Sequence, residues 1–445
     1  MFTIDRSQPS WKYSFALIWT GQAFSLFGSG LAGFAIVWWL TSTTGSATVL
    51  ATATLATLLP GILIGPLAGP LIDRWDRRTV IMVADLTGAL GAAVLAVLFW
   101  IDALAIWHVY LIMALRSLAG AFHWPAMQAS ISLMAPERHL ARIGGLNQML
   151  QGATNIAAPP LGALLIAIWP LHGLMLIDVV TALIAVVGVG LVRFPRLMRA
   201  AHSDKGALTG VLAEMIAGLQ YIGRWRGLII VMAMAALVNL LLTPAFSLLP
   251  ILVTKHFGGG AIQLAWMNAA EGAGIVLGGL VIGVWGGLKR RMHTVVVGLV
   301  GLGISILAIG AAPATAFLPA LAAVAVVGAM SPVVNAPLMA IVQSVVAPEM
   351  QGRVFTALGS VSMAMTPLGL MIAGPVADTL GVQVWYLLGG SVCLLMTLLV
   401  LGIPAVRDLE DHPRDSQSKA LSAWFRVEAA TSFSTTDGQE RADFH

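Results

Sequence analysis

Apolar stretches of about 20 residues or more recur along most of this chain, each divided from the next by a short polar turn. A bilayer core about 30 Å thick takes about 20 apolar helical residues per crossing. Twelve stretches of that kind can be marked, at about 14–40, 46–72, 79–101, 104–134, 143–168, 171–193, 227–253, 261–286, 292–312, 314–346, 354–379 and 382–403. The pattern predicts an all-α integral membrane protein of twelve transmembrane helices.

Composition points the same way. The 445 residues are 58% hydrophobic and 10% charged, against roughly 25% charged in an ordinary soluble domain, too little polar surface to clothe a water-soluble globule. The first apolar run is longer than a signal-peptide core and lacks a convincing cleavage site, so it is expected to stay as a span. The single Cys393 rules out an intrachain disulfide.

Charge sets the orientation. With both termini inside, 22 of the 24 Lys and Arg residues fall on the cytoplasmic side; Lys255 lies in an outer loop and Arg116 inside a span. This satisfies the positive-inside rule, and it checks the span count, because one missed helix would scramble every later loop. The expected location is the cytoplasmic (inner) membrane, crossed many times.

The chain repeats itself. Ala135-Pro136-Glu137 returns as Ala347-Pro348-Glu349, and Pro125 as Pro337, 212 residues on; Gly65 and Arg77-Arg78 answer to Gly278 and Arg290-Arg291 at an offset of 213. Six spans are therefore written twice, in the same orientation since six is even, which is a parallel-repeat arrangement of transporters that rock about a midplane site. The expected organisation is a cytoplasmic N-terminus (1–13), a six-helix bundle (14–193), a linker (194–226), a second six-helix bundle (227–403) and a disordered tail (404–445). Within the linker, Leu208, Val211, Leu212, Met215, Leu219 and Ile222 follow helical spacing, so a helix along the cytoplasmic interface is expected, as a tether or a regulator.

One polar turn is unusual. Asp73, Arg74, Asp76, Arg77 and Arg78 crowd between spans 2 and 3, and the positive-inside rule explains the arginines but not the aspartates. The run Gly69-Pro-Leu71-Ile-Asp73-Arg74-Trp-Asp76-Arg77-Arg78-Thr-Val-Ile81 resembles the signature of the major facilitator superfamily, G-x-L-a-D-r-x-G-r-R/K-x-x-L/I, departing from it at Asp76, where the signature has Gly. Further stretches, "WTGQAFSLFGSGL", "TGSATVL", "RSLAGAFHWPA", "LIDVVTA" and "GRVF", resemble the macrolide-efflux type of facilitator transporter, a branch that includes siderophore exporters. The resemblance implies the major facilitator fold, with Gly69, Asp73, Arg74, Arg77 and Arg78 as a cytoplasmic gate. The second half has Gly286 where the first has Asp73, so the lock would be one-sided.

Ionisable groups inside spans are costly, about 3 kcal/mol at mid-helix on insertion scales, so each is a functional candidate. Arg116-Ser-Leu-Ala-Gly120 matches the family's R-x-x-x-G motif, which the resemblance associates with proton coupling; substrate contact or a structural cap are the other readings. Glu271, about ten residues into span 8, is the leading proton carrier, with a structural role open beside it. The resemblance supports Asp178 in span 6 as a family position, a candidate for proton coupling with a structural role as its competitor. Asp85 is expected to pair with the arginines of the signature loop, and Asp378 to sit at the membrane interface. Spans 1, 4, 7 and 10 line the central cavity of the superfamily, which nominates Gln22, Phe24, His123, Gln128, Asn239, Phe246 and Asn335, joined by Asn147 and Gln151 from span 5, as substrate-binding residues. Packing at the Pro125 kink is an alternative for His123. "NIAAPPLG" has Pro159-Pro160 where the antiporter motif of span 5 has Gly-Pro.

Other classes lack their chemistry. An ATP-driven pump would need a phosphate-cradling G-x-x-x-x-G-K-S/T loop, and a membrane enzyme would need clustered carboxylates or an acid and base pair. The dense acidic cluster, Asp408 to Asp415, lies outside the membrane portion, and His412 and His445 alone make no metal tract. The expectation is therefore a transporter and not an enzyme. It would be a monomer in the lipid bilayer, with no cofactor, metal or nucleic acid, exporting macrolide-like or other amphiphilic drugs by alternating access against a return flow of protons. A siderophore or other endogenous metabolite is the alternative cargo, with metal-ion efflux or a polytopic membrane enzyme further behind.

Overall fold

The computed structural model describes residues 11–72, 75–192 and 207–411. Asp73 and Arg74 of the signature loop, the first part of the linker and the chain beyond Asp411 lie outside the described residues.

The first half holds α1 (Trp11–Thr44), α2 (Ala47–Ile72), α3 (Arg77–Trp100), α4 (Ile106–Met134), α5 (Glu137–Ile168) and α6 (Leu171–Leu191). The linker contributes α7 (Ala207–Gly223). The second half begins with α8 (Arg226–Ser247), prolonged by the short α9 (Leu249–Ile251) and a π-helical turn, Leu252–His256. It continues through α10 (Ala261–Trp285), α11 (Arg291–Ala311), α12 (Phe317–Val345), α13 (Pro348–Leu380) and α14 (Val382–Gly402), and closes with α15 (Pro404–Arg407) and a 3-10 turn, Leu409–Asp411. Eleven of these helices are long and apolar enough to cross a membrane; the twelfth, α4, spans 29 residues and is made more polar by Arg116, His108 and His123.

The repeat seen in the sequence is a repeat of packing. In the first half α1 packs on α6 and α5, α2 on α4, and α3 on α4 and α6; in the second, α8 packs on α14 and α13, α10 on α12, and α11 on α12 and α14. The two halves meet along two seams, α2 with α13 and α5 with α10, which exchange under the same correspondence. The duplicated Ala-Pro-Glu opens the fifth helix of each half: Pro136 immediately precedes α5, and Pro348 is the first residue of α13. Proline suits that place, since its fixed φ is pre-organised for a helix and its missing N–H would have had no partner there.

The helix ends carrying Arg77, Arg78, Arg138, Arg142, Arg290, Arg291 and Arg353 form a basic face. On that face Asp76, the departure from the signature, acts as the N-cap of α3: its carboxylate accepts from the backbone N–H of Arg78 at 2.8 Å and of Thr79 at 3.3 Å. A capping carboxylate satisfies N–H groups that have no partner inside the helix and sits favourably against the helix dipole. Asp76→Ala is expected to cost about 1 kcal/mol, read as a lower thermal midpoint in detergent, whereas Asp76→Ser is expected to recover most of the loss.

The cores of the two halves differ. The second half and the ends of α1, α2 and α5 away from the arginines share one continuous apolar cluster, to which the first half contributes Phe34, Ala47, Leu50, Ala51 and Ala163. The remainder of the first half is split into a cluster near the basic face, around Ile18, Ile81 and Ile131, and one near the opposite face, around Leu40, Leu95 and Val109. Apolar contact between the halves thus concentrates at the face away from the arginines. The glycines of the seams agree. A Cβ at Gly374 on α13 would stand 2.8 Å from Thr48 of α2, and one at Gly272 on α10 would stand 2.6 Å from Ile156 of α5. Nearer the basic face, Gly65, Gly145, Gly283 and Gly352 have no such neighbour within 4 Å. The halves are closed at the far face and part toward the basic one.

Two further segments pack against the second half, the expected linker helix and the start of the expected tail. The linker helix α7 docks on α13, with Ile222 fully buried, Tyr221 nearly so, and Gly218 pressed against the backbone of Arg353. The start of the expected disordered tail is folded: Val406 and Leu409 are buried, and the acidic turn beyond them clasps the loop before α11. Arg290 pairs with Asp408 at 3.5 Å and with Asp411 at 3.1 Å, and the Arg291 N–H donates to Glu410 at 3.0 Å. The neighbouring Arg407 guanidinium holds the Asp408 carboxyl below its ordinary range.

Candidate functional site

Among the described residues, three cavities gather polar side chains of the membrane interior. The largest of these three, about 560 Å³, lies in the second half and is walled mainly by apolar side chains of α8, α10, α11, α12 and α14. Asn239, Phe246 and Asn335 line it, together with Glu271 and Ser331. Both amides are anchored on their own helices: Asn239 donates to the Ala235 carbonyl and Asn335 to that of Ser331, each at 3.0 Å. Glu271 is placed by a seam of small residues, since a Cβ at Gly328 on α12 would overlap the Glu271 carbonyl, and those at Gly274 and Gly278 would overlap the carbonyls of Ala325 and Ala329. Small residues permit such close backbone approach between membrane helices.

The second cavity, about 190 Å³, lies in the first half between α1, α4 and α5. Gln22, His123, Gln128, Asn147 and Gln151 all line it, with Trp19 and Trp124. The indole N–H of Trp19 donates to Asn147 Oδ1 at 3.0 Å, and Gln151 donates to Asn155 at 3.2 Å. Phe24 belongs to neither cavity; it lies on another face of α1 and is 59% exposed.

The third, about 210 Å³, fills the gap between the two split cores of the first half and is the most polar. Arg116 pairs with Asp178 at 2.6 Å and donates to Ser29 at 3.0 Å, while Ser29 donates to the other Asp178 oxygen at 2.8 Å. Asp178 is 1% exposed and both of its oxygens are engaged, so the charge of Arg116 is matched within the bundle. Asp85 does not meet Arg77 or Arg78 of the signature loop as expected. Its position eight residues beyond Arg77 takes it about 12 Å deeper along α3, where Gln22 donates to Oδ2 at 2.8 Å and His123 Nε2 stands 3.2 Å from Oδ1. His123 accordingly faces a carboxylate, which packing at the Pro125 kink would not require. Its position seven residues beyond Arg116, two helical turns on the same face, was a signal that the sequence offered.

Of the signature residues described, Arg77 donates to the Ala129 carbonyl of α4 at 3.1 Å, and Arg78 donates to the Gly190 carbonyl of α6. Both tie α3 to helices of its own half. Among the described residues, none from another element stands within 4 Å of where a Cβ of Gly69 would be. At the far face, Asp378 near the end of α13 reaches across the seam to the start of α2, accepting from Ser46 Oγ at 2.9 Å and from the N–H groups of Ala47 and Thr48 at 2.8 and 2.9 Å. Sequence alone places Asp378 near the membrane interface and does not identify this partner.

Twelve long helices in a duplicated, parallel arrangement, with a cavity in each half, are the architecture of a membrane transporter. The family model described as a transmembrane secretion effector of the major facilitator type matches residues 7–438. The chain belongs to that family. The transporter is 32% identical over 401 residues to macrolide efflux protein A of Streptococcus pyogenes, an alignment covering 90% of this chain and 98% of that one. It is 29% identical over 400 residues to the multidrug efflux pump Tap of Mycolicibacterium fortuitum, covering 86% and 94% of the two chains. Among solved structures it resembles the nucleoside transporter NupG, with a TM-score of 0.65 at 14% identity over 88% of this chain and 99% of that one. It also resembles an inward-facing, unoccupied bacterial homologue of the lysosomal transporter Spinster, with a TM-score of 0.61 at 15% identity over 91% and 97%. These structural likenesses speak for the fold alone. The transporter is not an enzyme, and the family bears out the resemblance carried by the signature loop.

Proposed function

We propose that this transporter exports bulky amphiphilic compounds, macrolides among them, across the cytoplasmic membrane in exchange for protons. The basic face would be cytoplasmic, as the positive-inside rule asks, and the closure of the seams at the far face alone would then correspond to a state open to the cytoplasm. The observation that carries the reading is the large second-half cavity, apolar over most of its wall, with two amides and the one carboxylate of Glu271. An apolar wall with few fixed polar groups accepts many shapes while orienting each by a small number of contacts. The relatives named for macrolide and multidrug efflux support the same cargo. Glu271 would take a proton when the cavity faces outward and release it to the cytoplasm, and a membrane-embedded carboxylate free of a fixed cation suits such a carrier. Asp73 and Arg74 would complete the cytoplasmic lock in the opposite state.

Everted vesicles with an imposed proton gradient, a lumenal pH dye and added erythromycin test the proposal. Wild type is expected to dissipate the gradient on addition of the drug. Glu271→Gln is expected to bind erythromycin while dissipating no more than empty vesicles, and Asp73→Asn to lose transport while remaining in the membrane. An unchanged pH dependence in Glu271→Gln removes that residue from the mechanism. A wild type indifferent to macrolides, tetracyclines and dyes removes the drug cargo.

A further inference from the structure

The polar chamber of the first half holds two carboxylates in unlike settings. Asp178 is fixed, with a permanent cation on one oxygen and a hydroxyl on the other. Asp85 has no permanent cation. Its Oδ2 accepts from the Gln22 amide and so keeps that lone pair occupied, which leaves Oδ1 and the facing His123 Nε2, 3.2 Å away, as the place for an exchangeable proton. His123 Nε2 is buried and makes no hydrogen bond in this arrangement. The titratable and charged groups lining the chamber are Asp85 from α3, Arg116 and His123 from α4, and Asp178 from α6, while α1 adds the neutral Gln22, Ser25 and Ser29. Since Arg116 and Asp178 cancel, the net charge of the chamber turns on one proton. With it the Asp85 and His123 pair is neutral, and without it a negative charge stays buried in the bundle, an expensive state that invites compensation.

The chamber also has a neighbour. Gln22, Leu26 and His123 line both it and the 190 Å³ cavity bounded by Trp19, Trp124 and Asn147. Only these side chains need be passed for a group in that cavity to reach Asp85. We propose that Asp85 and His123 form a second proton site, in the first half, and that a positively charged arm of an amphiphilic ligand competes with its proton. The two are alternatives because each brings one positive charge to a single unpaired carboxylate. The cavity is too small for a whole macrolide and of a size for an ammonium-bearing substituent. This assignment rests on the exchange of protons for amphiphiles proposed above, and adds where the first half takes part in it.

Two measurements on the purified full-length protein in lipid nanodiscs decide the matter. The first needs no ligand: infrared difference spectra across a pH titration, with labelled histidine. Wild type is expected to show carboxyl and imidazole bands that titrate together, altered jointly by Asp85→Asn and by His123→Gln, and persisting in Glu271→Gln. Bands of Asp85 and His123 that titrate independently, or that fail to titrate, overturn the proton site. The near-isosteric Asp85→Asn retains an oxygen for Gln22; if it does not assemble, His123→Gln carries the comparison alone. The second adds erythromycin to weakly buffered protein and reads released protons beside bound drug. Compared in the Glu271→Gln background, which binds the drug without the Glu271 proton, Asp85→Asn is expected to release at least tenfold fewer protons per drug bound, and unchanged release overturns the competition. Failure of erythromycin to bind wild type would remove the macrolide cargo, while the titration still decides the proton site.

Discussion

Asp378→Ala is expected to open the far face of the transporter. The carboxylate of Asp378 spans the seam between the halves and holds two backbone N–H groups and a hydroxyl at the start of α2. Hydrogen bonds to a charged group contribute about 1.5–3 kcal/mol, and a carboxylate at a helix N-terminus is favoured further by the dipole. Loss of about 2 kcal/mol from one of two states changes their ratio roughly 30-fold. Spin labels at Ala103 and Thr315, exposed turns on the far face in opposite halves, would report this as a longer distance in the variant. The native Cys393 is buried, so labelling is expected to leave it untouched. A distance distribution identical to that of wild type would show that Asp378 does not hold the face closed.

The second large effect concerns assembly. At Gly278 a side chain would enter the carbonyl of Ala329, with Gly274 and Gly328 in the same predicament one turn along the seam of α10 and α12. The obstacle is backbone, which cannot rotate aside as a side chain can. Overpacking of this kind costs about 1–3 kcal/mol and more where nothing yields. Gly278→Leu is therefore expected to lose most folded protein, measured as the monodisperse fraction after extraction, whereas Gly279→Leu, one residue on and without a neighbour within 4 Å, is expected to behave as wild type. Equal yields would mean that the seam can spread, and that Glu271 is not held in place by it.

These contacts differ in how plainly the chain announces them. The spans and the duplication were legible because a membrane helix must be apolar along its whole length, and because charge alternates loop by loop. Site residues on one helix were legible as candidates: Gln22, His123, Asn239 and Asn335 fall on helices that border the cavities. Their partners were not, since Asp85 meets Gln22 across 63 residues of sequence and Asp378 meets Ala47 across 331. Such pairings depend on the rotation of each helix about its axis, which an apolar stripe fixes in a soluble protein and a uniformly apolar span does not. Asp85 was assigned to the nearest arginines along the chain, and helical rise carried it past them. Asp76 is the opposite case, a local cap whose meaning lay in its place one residue before α3.

The acidic turn at Asp408–Asp411 bears on how the molecule is made. The basic loop before α11 enters the membrane's edge more than a hundred residues ahead of the carboxylates that clasp it. During synthesis the Arg290 guanidinium therefore waits for these carboxylates while four more helices are inserted, and its charge is free to hold that loop on the side where it was first left. Only when the chain has been made as far as Asp411 is that charge met, and the second bundle is then sealed by residues that follow its last long helix.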